Sequence, residues 1–138
     1  MNKKNDDCLL NQSSSKSYID GYTELPSQDE ELMKKWIYLY GPLIVTMNAE
    51  TLLQKIEDPA AIHYPDAVEC TPDFGSTKKS HAVIIVGYGV DKTTDRHLPY
   101  WIVKNSWGEK WNGNGYIKIF RGDNVGGISQ RVRTALLN

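Results

Sequence analysis

Between Ser80 and Tyr116 the chain reads SHAVIIVGYG, then PYWIVKNSWG, then WNGNGY, with about a strand's length between landmarks. His81 opens one apolar β-type run and Asn105 closes the next. Imidazole is the side chain that gains and loses a proton near neutrality, and a carboxamide at the end of a neighbouring strand can accept from one ring nitrogen and fix tautomer and orientation. Trp107, two residues beyond the amide, is placed to keep water from that contact. A thiol is a weak nucleophile until an adjacent imidazole holds its proton. A neutral amide suits a resting thiolate–imidazolium pair because it orients the ring without adding a carboxylate's charge. The predicted chemistry is therefore activation of a thiol, with His81 as general base and then acid, Asn105 as its orienter and Trp107 as cover. Singly, a histidine at a strand start or an asparagine at a turn is usually structural; the combination with its flanking sequence carries the reading.

These residues have to be positioned by the elements around them. Ser27 with Glu30 three residues on reads as a capping box, acids at Asp29, Glu30 and Glu31 fill the first turn, and Gly41-Pro42 ends the run, which predicts a helix over about 28–40. Leu32, Met33, Trp36, Ile37, Leu39 and Tyr40 form a broad apolar stripe, read as core. Tyr18 to Leu25 alternates weakly as a short strand, and Leu43 to Met47 reads as a buried one. Ala49 to Glu57 reads as a short helix stopped by Asp58-Pro59, followed by a loop-rich stretch over 60–79. Strands are predicted over Ala82 to Val90, Tyr100 to Lys104 and Tyr116 to Phe120, with DKTTDRH as a hairpin loop. His63 and His97 read as surface or packing histidines. Strands following a helix give an α+β class with an antiparallel sheet.

With 138 residues and a formal net charge of −1, the chain is one domain's worth and has no excess of lysine and arginine to follow a phosphate backbone. Nucleic acid is not expected as a partner. No apolar run reaches the ~18 residues needed to span a bilayer, and Met1 is followed by polar NKKNDD with no signal-type core. Residues 1–17 read as a polar linker or tail, with Asn11-Gln12-Ser13 as a chance-level glycosylation triplet. Cys8 and Cys70 are too few for a disulfide framework and lie in no metal-like spacing, so they do not settle the redox compartment.

The segments SHAVIIVGYG, YWIVKNSWG and WNGNGYIKIFRG together resemble the C-terminal half of a papain-like cysteine protease of the cathepsin type. The resemblance runs from about Tyr18 to the end and implies the strand-rich right-hand domain, a barrel-like antiparallel sheet with one main helix, for residues 18–138. It implies peptide-bond hydrolysis with His81 and Asn105 as catalytic residues and Trp107 flooring the leaving-group side, and it implies neither a metal nor an organic cofactor. It also implies Leu43 and Ala82 lining the pocket for the substrate's second residue before the scissile bond, with Arg131 at its base. A basic group there would favour an acidic side chain; the alternative is a solvated arginine in a polar tail.

The pattern departs from the family in several places. The nucleophile should lie roughly 130 to 150 residues upstream of the histidine, whereas His81 has 80 residues before it. Neither a Cys-Gly-Ser-Cys-Trp motif nor the oxyanion-hole glutamine is present, so the left-hand domain is missing from the reading. Cys8, within NDDCLL, sits among acids that raise a thiol's pKa. By resemblance Cys8 and Cys70 each match a disulfide cysteine whose partner is missing, the second because Cys-Gly-Ile is replaced by Gly126-Gly127-Ile128; a Cys8–Cys70 pair is the alternative. Asn112 stands where the family has glycine. The expectation is negligible hydrolysis by the chain alone, peptide or protein substrates once a left-hand domain completes it, and self-association through the exposed inter-domain face. The competing reading is an inactive fragment or pseudo-protease acting as a binding module. The family implies lysosome or secretion, which the visible N-terminus does not.

Overall fold

The computed structural model describes residues 18–48, 50, 58–64, 80–93 and 95–136. The expected linker, the short helix over 49–57, both cysteines and the glycosylation triplet lie outside these, Glu50 apart. Among the described residues the elements follow in the order β1 (Gly21–Leu25), α1 (Glu30–Tyr40), β2 (Leu43–Asn48), β3 (Ile62–His63), β4 (Ser80–Asp91), β5 (Leu98–Lys104), β6 (Tyr116–Phe120) and β7 (Val132–Leu136), with a 3₁₀ turn at Val125–Gly127. They form one open sheet in the order β1-β7-β2-β4-β5-β6-β3. All neighbours are antiparallel except the two-residue β3, which runs parallel to β6.

Side chains on alternate sides of each strand separate a core face from an open face. Leu43, Val45 and Met47 of β2, Val83 and Ile85 of β4, Trp101 and Val103 of β5, Ile117 and Ile119 of β6, and Val132 of β7 are buried and form the core with Met33 of α1. The register aligns them in rows, Val132–Val45–Val83 and Leu43–Ile85–Val103–Ile117. A bulge between Ile85 and Gly87 lets the long β4 bend as it crosses the sheet.

Three expectations are corrected. Helix α1 is capped by Asp29, whose Oδ1 accepts from Leu32 N at 2.8 Å, and not by Ser27. Gln28 takes a left-handed φ of 61° and gives its N–H to the Ser129 carbonyl, so the chain reverses before the helix can begin. Glu30 does not reach back as a capping-box partner; it reaches across to the sheet. Leu39 and Tyr40 of the apolar stripe are exposed: Leu39 lies well round the helix from Met33, and Tyr40, in the last turn, leans on Trp36 at 4.6 Å between ring centroids. Strand β7 was not expected. Gly41, at φ 108°, and Pro42 end α1 as the sequence indicated.

Candidate active site

Strands β4 and β5 are paired as Ile84↔Lys104, and that register, continued outward, sets His81 opposite Trp107 and one diagonal step from Asn105. His81 is half-buried at the start of β4 opposite Met47, and Asn105 is buried just past β5 with its N–H on the Gly115 carbonyl at 2.9 Å. The two side chains meet, His81 Nε2 to Asn105 Oδ1, at 2.8 Å. The same Oδ1 accepts the Ser106 backbone N–H at 2.7 Å. A backbone amide only donates, so this atom is the carbonyl oxygen and the histidine nitrogen facing it carries a proton. In the neutral ring Nδ1 is then the bare, basic nitrogen.

The Trp107 ring lies 5.0 Å from that of His81, and Trp111 meets Trp107 edge-on at 5.3 Å. Trp107 is 38% exposed, so it covers one side of the histidine and leaves its own outer face to solvent. The loop from Ser106 to Gly115 holds both indoles by closing on itself: Trp111 N–H donates to Gly108 O and Gly115 N–H to Trp111 O. Gly115, at φ 87°, holds a backbone conformation that strains other residues, and a Cβ there would sit a tight 3.2 Å from the Gly108 carbonyl oxygen. Asn112, where the family resemblance expects glycine, adopts φ 44° and donates Nδ2 to the Tyr116 carbonyl at 2.6 Å. Asparagine is among the side chains that best tolerate this conformation, so the replacement keeps the turn.

Of the expected pocket residues, Leu43 is fully buried and packs in the core. Its neighbour Ile44 points to the open face and, with Ala82, Ile84, Lys104, Asn105 and Ser106, lines a depression of about 410 Å³ beside the histidine. The run Leu-Ile-Val-Thr-Met carries no polar alternation, so the sequence leaves open which parity faces inward. Ala82 is exposed and pairs with Thr46, and the β2–β7 register continued past Val45↔Val132 sets Thr46 beside Arg131, whose carbonyl accepts the Thr46 N–H. Arg131, Thr46 and Ala82 thus form one row ending next to His81. Thr46 is the member that the sequence reading missed. Among the described residues no cluster of ligating side chains fits a metal ion, and no helix is long and apolar enough to cross a membrane.

The strand-borne imidazole, held by a carboxamide under an indole, lies in a chain whose sequence and fold match a known family. Residues 1–136 match the papain family cysteine protease model, and the chain belongs to that family. It is 34% identical over 136 residues to Cathepsin F of Drosophila melanogaster, covering 97% of this chain and 21% of that protein. Against Procathepsin L of Mus musculus it is 34% identical over 119 residues, or 86% of this chain and 33% of that one. The fold superposes on digestive procathepsin L 3 of the Tenebrio molitor larval midgut with a TM-score of 0.70 at 32% identity, covering 86% and 36% of the two chains. On bromelain of Ananas comosus in complex with the E64 inhibitor the TM-score is 0.68 at 28% identity, with 88% and 52% covered. The chain spans about a fifth to a third of the length of these curated relatives.

Proposed function

We propose that residues 18–138 form the base-bearing domain of a cysteine peptidase whose thiol is carried by a separate stretch of polypeptide seated against His81 at the start of β4. His81 Nδ1 takes the thiol proton while Nε2–H stays on Asn105. The thiolate adds to a peptide carbonyl, and the tetrahedral adduct expels the amine as His81 returns the proton to it. Water then cleaves the thioester with His81 again as base. The observation that carries this reading is the clamp on Asn105 Oδ1, which holds the ring with Nδ1 as its free base. The row Arg131–Thr46–Ala82 supports reading this strip as the pocket for the substrate's second residue before the scissile bond, where Arg131 would favour an acidic side chain; equal turnover of peptides bearing Leu and Glu at that position removes this part.

The test is complementation. Purified 1–138 is mixed with, or fused behind, the thiol-bearing half of a full-length relative, and hydrolysis of a fluorogenic peptide is followed. Neither half alone should turn over, the pair should, and His81→Ala in this chain should abolish the activity. Formation of a folded complex without hydrolysis contradicts the reading and leaves the domain as a binding module.

A further inference from the structure

An open sheet has two edges, and here they differ. The β3 edge is two residues long, too short to template another strand. The β1 edge runs five residues in unbroken register with β7, from Gly21↔Leu136 to Leu25↔Val132. Among the described residues it has no lysine or proline between residues 18 and 25 and no bulge, and its only charges are Asp20 and Glu24. Tyr18, Ile19, Tyr22 and Leu136, all near this edge, are 79%, 62%, 65% and 43% exposed.

We propose that β1 pairs antiparallel with β1 of a second copy of this chain, about a twofold axis at Thr23, joining the two sheets into one. Directly opposed residues of an antiparallel pair share a face. With the axis at Thr23, Tyr22 meets Glu24 of the second copy on the open face, and Gly21 meets Leu25 on the core side. Each tyrosine hydroxyl then has a carboxylate to donate to, one already held by Arg133 across the β1–β7 pair, with the Arg133 guanidinium 5.3 Å from the Tyr22 ring. Other axes are worse. Centring on Tyr22 sets Asp20 against Glu24, centring on Glu24 sets that residue against itself, and centring on Gly21 pairs every residue of β1 after Gly21 with residues outside the strand. Pro26, which lacks an N–H, ends the ladder after Leu25. This contact stands on the fold and the edge alone, independent of the hydrolytic reading.

Two substitutions of one exposed side chain test it. Tyr22→Glu places like charges opposite each other twice across the axis, whereas Tyr22→Lys places opposite charges there. In sedimentation velocity over a concentration series, with circular dichroism confirming the fold, the native chain should form a concentration-dependent dimer. Tyr22→Glu should weaken it by about tenfold, and Tyr22→Lys should leave it within about threefold. A native chain that stays monomeric throughout overturns the proposal. So do two variants that shift the association equally, since the contact then lies elsewhere.

Discussion

Asn105 Oδ1 accepts two N–H groups, from His81 and from Ser106, and that double use turns an ambiguous amide into a directional one. In the complemented enzyme His81→Ala should cost about six decades of turnover, as losing the base of a nucleophile–base pair does. Asn105→Ala, which frees the ring but leaves it present, should cost about two to four decades. Both are read as kcat on a peptide substrate, and equal losses would show that orientation matters as much as the base itself. This pair was legible because His81, Asn105 and Trp107 are marked by flanking glycines and β-branched runs. Thr46 was not, because nothing in Leu43–Met47 distinguishes the inward side chains from the outward ones. The distinction has an energetic signature: Leu43→Ala should destabilise by about 2–5 kcal/mol in urea unfolding, whereas Ile44→Ala, half exposed, should cost under about 1.5 kcal/mol.

At the scale of elements, one carboxylate ties the helix to the sheet. Glu30 accepts from Trp101 Nε1 at 2.8 Å, Gly122 N at 3.0 Å and Asn124 N at 2.8 Å. Glu30→Ala leaves the indole N–H of a fully buried tryptophan without its acceptor and should cost about 1–3 kcal/mol. An unchanged urea midpoint would show that the tie is dispensable. Sequence gave the capping-box reading of Glu30 because its partners lie 71 or more residues away, beyond any local pattern. Strand β7 escaped for a related reason: Val-Arg-Thr-Ala-Leu becomes a strand by pairing with β1 on one side and β2 on the other. Next to Glu30, Glu31 is held below the usual glutamate pKa first by its hydrogen bond to Lys34, aided by that to Arg121 and opposed by desolvation. A lowered folded-state pKa contributes stability above the unfolded value near 4.3 that disappears as pH falls through the folded one. Glu31→Gln should therefore leave stability nearly unchanged once the pH is below the folded-state pKa and lower it slightly at pH 7. The loss should be under about 1 kcal/mol and reduced by salt, since the carboxylate is 62% exposed.

At the scale of the whole molecule, the helix and the strands through β6 other than β3 could be read from period and punctuation, because each has caps, glycines or β-branched runs of its own, whereas the two-residue β3 fell in a stretch read as loop. The order of the strands could not, since it depends on contacts between distant segments. What the assembled sheet offers is an imidazole at one end of β4, beside an apolar depression. The account rests on that imidazole keeping its proton on the nitrogen facing Asn105. Long-range proton–nitrogen correlation spectra of the neutral His81 ring, in the native chain and in Asn105→Ala, measure this directly. The native ring should show Nε2 protonated and Nδ1 bare, and the variant should show a mixture of tautomers. A native ring protonated on Nδ1, or one whose tautomers are unaltered by the substitution, would contradict the account.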